Sequence, residues 1–171
     1  SFITSPPIIS PIAEGTKVIG SHAFYNNNHF STIEIPNSVT TIGNYAFEAC
    51  YGLKNITIPE SVHTMRDAFS LCDSLTTIVY NAKSPSGERF DGIEYPFGYS
   101  LNSVTSFTIG NTVEVIPAGL CSRMNKLTNV TIPNSVKIIM NGAFDGCEGL
   151  TSFTIPESVT EIRGRIFGGW G

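Results

Sequence analysis

Apolar residues recur along the chain in a fixed order, with polar residues, prolines and glycines between them. Ile-Pro-x-Ser-Val occurs four times, beginning at Ile35, Ile58, Ile132 and Ile155, and 23 residues separate the members of the first and of the last pair. Ala-Phe, Cys and Leu follow at nearly constant offsets, so the unit reads I-P-x-S-V-x-x-I-x-x-x-A-F-x-x-C-x-x-L-x-x-I-x. Self-similarity at this period predicts a solenoid in which each copy packs against its neighbours.

The repeat divides the chain into an N-terminal extended segment, residues 1–11, and a single repeat domain, residues 12–171. The expected copies lie near 12–34, 35–57, 58–79, 80–108, 109–131, 132–154 and, as a partial copy, 155–171. The copy at 80–108 is irregular because it spans 29 residues and keeps only the end of the pattern. We expect residues 81–99 to be its least regular part, interrupting the solenoid without forming a separate domain.

The Leu-x-x-Ile-x-Ile run of each copy predicts a short strand. Strand alternation points Ile56 and Ile58 inward and leaves Asn55 and Thr57 outward. The proline that follows ends the strand, because it has no N–H to donate to a ladder. The fold class is therefore a right-handed repeat solenoid with a parallel sheet on its concave side. We expect its strands to be centred near Ile33, Ile56, Ile78, Phe107, Val130 and Phe153.

The remaining apolar positions of the unit predict the convex side of the solenoid. Val39 and Ile42 suit a second short extended segment, and residues 44–50 suit a single helical turn that packs Phe47 inward. A lone copy buries too little apolar surface to offset its loss of conformational entropy, so the copies must stack. We expect Trp170 to close the C-terminal end, and Pro6 and Pro7 to keep the N-terminal edge from pairing further.

Charge and hydropathy exclude two classes of partner. The net charge is −4 and only 14% of residues are charged, so there is no basic face for nucleic acid. No apolar run approaches the roughly 20 residues that span a bilayer, so we expect no membrane insertion in this segment. The surface is instead rich in hydroxyl and amide side chains.

The cysteines show no pattern of a metal site. Cys50, Cys72 and Cys147 occupy the same position in their copies, which predicts buried, reduced thiols and no disulfide. A disulfide between Cys50 and Cys72, in adjacent copies, is the alternative. No C-x-x-C pair is present, and the three histidines fall at unrelated positions of the unit. We therefore predict no metal, no cofactor and no catalytic residues.

The I-P-x-S-V, A-F-x-x-C and L-x-x-I-x-I runs resemble the BspA-like (Treponema-type) leucine-rich repeats. The resemblance covers residues 12–171. It implies a solenoid that is secreted or displayed at the cell surface, with a role in adhesion to host proteins or other cells. The Asn55 and Asn129 sequons either carry glycans or are outward strand residues that recur with the repeat.

The outward strand positions predict a polar strip that could bind a partner. Its residues are Thr32, Glu34, Asn55, Thr57, Thr77, Ser106, Thr108, Asn129, Thr131, Ser152 and Thr154. The alternative site is the aromatic group of the irregular copy, namely Phe90, Tyr95, Phe97 and Tyr99. These aromatic residues could instead fill a gap that the irregular copy leaves in the core.

The preferred function is a non-catalytic module that binds an extracellular or host protein, or a glycan, as a monomer. The alternative is a structural spacer that displays another module. An enzyme is the third hypothesis, and it would need a convergent cluster of acids in a deep pocket.

Overall fold

The computed structural model describes residues 10–83, 92–99 and 101–168. Within these ranges every strand pairs in parallel with the equivalent strand of a neighbouring copy. The strands are β1 (Val18–Ile19), β2 (Thr41–Ile42), β3 (Asn55–Ile58), β4 (Thr64–Met65), β5 (Thr77–Tyr80), β6 (Ser106–Ile109), β7 (Val115–Ile116), β8 (Ile138–Ile139) and β9 (Glu161–Ile162). The predicted repeat solenoid is confirmed.

The strands form three small sheets. The Leu-x-x-Ile-x-Ile runs build the sheet β3-β5-β6, in which Thr57 lies opposite Val79 and Val79 opposite Thr108. The second apolar positions build the sheets β1-β2-β4 and β7-β8-β9, which confirms the predicted second extended segment. The parallel register follows from the repeat, because equivalent residues of successive copies carry equivalent side chains.

Three of the six predicted strand centres lie in strands, namely Ile56, Ile78 and Phe107. Near Ile33 the pairing is limited to a single bridge between Thr32 and Asn55. The prediction is wrong for Val130 and Phe153, which lie outside the assigned strands. Phe153 instead packs edge-on against Phe144 and Phe167, with ring centroids 4.9 Å and 4.7 Å away.

A column of phenylalanine rings runs through the core. The Phe24 and Phe47 rings are parallel and 5.1 Å apart, and those of Phe47 and Phe69 are parallel and 4.8 Å apart. Phe97 continues the column 5.6 Å beyond Phe69. Phe47 and Phe144 are fully buried, as predicted. Stacked copies thus bury in one column the aromatic area that a single copy would expose.

The predicted helical turn at residues 44–50 is wrong, because residues 44–49 form a run of turns. Alternate N–H groups serve different acceptors: Ala46 donates to the Gly43 carbonyl, whereas Phe47 donates to the Ala68 carbonyl of the next copy. Tyr45 and Ala49 have φ values of 60° and 57°, outside the α-helical region. Half of the N–H groups bind the neighbouring copy, so the i to i−4 ladder of a helix cannot form.

The irregular copy returns to the repeat conformation earlier than its sequence predicts. Ile93 bridges to Met65, and Phe97 joins the phenylalanine column. Thirteen positions separate Tyr80 from Ile93, against seven between Ile58 and Met65, so six extra residues lie between Tyr80 and Ile93. The prediction of an irregular segment over 81–99 is therefore wrong for residues 92–99. Residues 84–91 lie outside the described residues, as do Pro6, Pro7 and Trp170.

Candidate binding surface

The structure places the eleven strip residues on solvent-accessible positions. Thr77 is half-buried and the other ten are exposed, while Ile56, Ile78 and Phe107 lie beneath them in the core. Strand alternation would make the prolines at the strand ends a third outward row, but Pro36 and Pro59 are buried. The strip therefore consists of two rows of short polar side chains.

The sheet β3-β5-β6 holds five of the strip side chains at fixed spacing, namely Asn55, Thr57, Thr77, Ser106 and Thr108. Neighbouring strands lie about 4.8 Å apart, so equivalent side chains of successive copies are near neighbours. At the first pair the Thr32 hydroxyl donates a hydrogen bond to Asn55 Oδ1 at 3.0 Å. The part of the strip on this sheet is pre-organised, because the backbone that carries it is bonded to neighbouring strands.

Three grooves lie over the strip and together contain ten of its eleven residues, Thr77 being the exception. The first has a volume of about 720 Å³ and is lined by Thr32, Glu34, Asn55 and Thr57. The second, of about 640 Å³, contains Ser106, Thr108, Asn129 and Thr131. The third, of about 540 Å³, contains Asn129, Thr131, Ser152 and Thr154. These volumes are typical of ligand sites, although the polar lining differs from the apolar lining of most small-molecule pockets.

Two acidic residues in the first groove were missed by sequence reasoning. Glu14 and Glu60 line it together with Glu34, whereas the lining of the second groove is uncharged. The sequence predicts Glu60 to be an exposed turn residue, and Glu14 lies in the first copy, which matches the repeat pattern only in part. Glu14 and Glu60 occupy equivalent positions two copies apart, and they share a groove only when the copies stack, so no local signal identifies the pair.

The aromatic residues proposed as the alternative site separate into two groups. Phe97 is 1% exposed and belongs to the phenylalanine column, so the core interpretation is correct for this residue. Tyr95 and Tyr99 stack on each other with ring centroids 4.8 Å apart, and Tyr99 is 47% exposed. Desolvation raises the pKa of Tyr95, with smaller contributions from Tyr99 and Asp145. Phe90 lies outside the described residues.

The cysteines are buried, as predicted, and they have a role that the sequence does not show. Cys50 Sγ donates to the Phe24 carbonyl and Cys72 Sγ to the Phe47 carbonyl, both at 3.1 Å. Cys147 Sγ donates to the Cys121 carbonyl at 3.0 Å. Each thiol thus joins its copy to the preceding one, since a buried carbonyl without a partner is costly. The four cysteines are free.

We expect Cys50, Cys72 and Cys147 to resist a thiol reagent in the native protein and to react fully after denaturation. Burial raises the pKa of Cys147 to about 12, and it also raises the pKa of Cys121. Because the reactive species is the thiolate, raising the pH from 7 to 9 should not start native labelling at Cys147. Mass spectrometry of labelled peptides checks this, and prompt native labelling of all three would contradict it.

Neither a metal centre nor a membrane span is found in the described part of the chain. Residues 10–83, 92–99 and 101–168 contain no group of three or more His, Cys, Asp or Glu side chains that could hold a metal ion. The same ranges contain no helix long and apolar enough to cross a membrane.

The sequence matches the model of the BspA type leucine-rich repeat region, with six copies over residues 8–90 and 93–170. The chain belongs to this family. No curated protein matches the sequence. Members of the BspA-type family are typically non-catalytic binding modules.

Solved structures of leucine-rich-repeat proteins are similar to this solenoid. The T. pallidum protein TpLRR is 28% identical with a TM-score of 0.65, over 86% of this chain and 66% of that one. A Bacteroides ovatus protein is 30% identical with a TM-score of 0.54, over 89% and 45%. The pneumococcal vaccine antigen PcpA, 23% identical with a TM-score of 0.51 over 88% and 35%, shares the fold. The chain thus spans less than two thirds of the length of each of these proteins.

Proposed function

We propose that this BspA-type solenoid is a secreted or cell-surface module whose polar strip binds an extracellular protein or glycan. The observation that carries the proposal is the position of ten strip residues in three open grooves along one side of the repeat. Their hydroxyl and amide groups can donate and accept hydrogen bonds, which suits the hydroxyl groups of a glycan or the backbone of a peptide. Adhesion to a host surface is the role we infer.

The composition of the strip also suggests how strongly it binds. It contains Glu34 as a charged group and no aromatic side chain, so it lacks the Trp, Tyr and Arg anchors that dominate tight interfaces. A single module should therefore bind weakly. Binding would become strong when several grooves engage one extended ligand, because the second contact is then intramolecular.

Replacing Thr57, Thr108 and Thr131 together with lysine should reduce binding to a strip ligand by tenfold or more. Each lysine places a long charged side chain over one of the grooves, while the outward position leaves the core intact. The measurement is a binding screen of the wild-type protein against immobilised extracellular-matrix proteins and glycans, followed by titration of the hits.

A matched control adds the same charge elsewhere. Ser21, Asn44 and Asn125 are exposed residues in the turn segments, and lysines there should leave binding unchanged. A hit that binds the strip variant as tightly as the wild type would contradict the proposed site. A screen without hits would favour the structural spacer.

A further inference from the structure

A fourth groove lies over the turns of the last four copies, away from the strip. It has a volume of about 640 Å³ and its lining includes Tyr95, Tyr99, Arg123, Asn141, Asp145 and Arg165. We propose that this groove binds a carboxylated sugar, a uronic or sialic acid residue of a glycan. The proposal is independent of the strip.

The tyrosines form a fixed aromatic platform. The Tyr95 ring lies across Gly119, where an added Cβ would come within 2.1 Å of Tyr95 Cδ1. Its hydroxyl lies over Gly142, where an added Cβ would be 3.1 Å from the oxygen. Tyr99 stacks on Tyr95 and remains about half exposed. The flat C–H face of a sugar ring can therefore pack on Tyr99 with little loss of side-chain freedom.

The positive φ of Tyr95 recurs at the equivalent position of other copies, including His22, Tyr45 and Asp67. The N–H groups of Tyr95, Gly119 and Gly142 each donate to the next copy, so the three residues are equivalent. All three have a positive φ, 43° at Tyr95 against 65° and 69° at the glycines. Glycine adopts this conformation freely, whereas tyrosine does so at a cost. This strain is a property of the repeat, and what fixes the aromatic platform is the stacking of Tyr99 on Tyr95 and the packing of Tyr95 over Gly119.

The charges in the groove suit an anionic ligand that also carries hydroxyl groups. Among the described residues neither Arg123 nor Arg165 forms an ion pair, although the chain as a whole has a net charge of −4. An unpaired guanidinium can bind a carboxylate through two parallel hydrogen bonds. Asp145 is half-buried and lines the same groove, so its carboxylate can accept from a sugar hydroxyl.

A carboxylated sugar satisfies all three features together. It offers a C–H face to Tyr99, a carboxylate to the arginines and hydroxyl donors to Asp145. A neutral sugar leaves the arginines unused. An acidic peptide can pair with the arginines but has no rigid C–H face beside its carboxylate.

The test is a titration of the folded protein with trigalacturonic acid, 3′-sialyllactose and lactose, followed by ligand-detected NMR or calorimetry. At least one acidic sugar should bind tenfold or more tightly than lactose. The affinities of trigalacturonic acid and 3′-sialyllactose then show whether the groove prefers a uronic or a sialic acid. Tyr99→Ala should weaken that binding by tenfold or more. Tyr51→Ala is the matched control, since Tyr51 is 46% exposed and lies outside the groove, and it should have no effect.

The double variant Arg123→Gln with Arg165→Gln tests the arginines and should also weaken binding by tenfold or more. Lys54→Gln is the control, because it removes a positive charge outside the groove. Circular dichroism should show that every variant keeps the wild-type fold. Absence of binding by both acidic sugars, or binding unaffected by the groove variants, would overturn the proposal. So would equally tight binding of a tetraglutamate peptide. Loss of binding in the strip variant but not in Tyr99→Ala would place the sugar on the strip instead.

Discussion

Replacing Phe47 with alanine is expected to lower the free energy of unfolding by about 3–5 kcal/mol. The ring is fully buried between two parallel rings, Phe24 at 5.1 Å and Phe69 at 4.8 Å. Truncation would leave a cavity in the middle of the column. The N–H groups of Phe24 and Phe47 are each bonded to a carbonyl of the next copy. These bonds keep the copies at a fixed spacing, so the neighbouring rings cannot move together to fill the cavity.

Urea denaturation followed by circular dichroism measures this loss. Tyr51→Ala is the control, because it removes an aromatic ring that is 46% exposed, and it should change stability by no more than about 0.5 kcal/mol. A loss below about 1 kcal/mol for Phe47→Ala would mean that the phenylalanine column does not carry the packing between copies.

Replacing Gly119 with alanine is expected to destabilise the protein by two separable effects. Its φ of 65° favours glycine, so a side chain there costs about 1–2 kcal/mol. The new Cβ would also come within 2.1 Å of Tyr95 Cδ1, so the ring must leave its place on the backbone, at a further cost of about 1–3 kcal/mol.

Gly15 offers a control for the first effect alone. It has a φ of 90°, and an added Cβ would meet no atom within 4 Å, so Gly15→Ala should show only the backbone cost. Thermal or urea denaturation of both variants measures the difference. Equal losses would contradict the packing of Tyr95 across Gly119 that holds the aromatic platform in place.

The sequence predicts the strands of the main sheet well because their signal is local and repeated. In Asn55–Ile58 each polar residue alternates with an isoleucine, and the structure buries both isoleucines and exposes Asn55 and Thr57. The common cysteine position likewise predicts burial, because a small apolar side chain recurs at one depth in several copies. Neither inference requires knowledge of which copies touch.

The sequence fails where an element depends on the neighbouring copy. The sequence predicts a helical turn over residues 44–50 that packs Phe47 inward, yet alternate N–H groups of this segment donate to the next copy, so no helical ladder forms. The irregular copy shows the same dependence. Its length predicts an irregular segment through residue 99, but Ile93 pairs with Met65 and Phe97 packs on Phe69, which brings both back into register.

The same distinction between local pattern and contact with the neighbouring copy applies to the candidate sites. The sequence by itself determined the family and the period, because both follow from the repetition of one motif along the chain. It also determined the inward and outward strand residues, and hence the polar strip, because these follow from alternation within one copy. Only the tertiary structure brought Glu14 and Glu60 beside Glu34, buried Phe97, and gathered Tyr99, Arg123 and Arg165 around one groove. Glu14 and Glu60 lie two copies apart, and Tyr99, Arg123 and Arg165 lie in three different copies. Their proximity is fixed by stacking between copies rather than by any pattern within one.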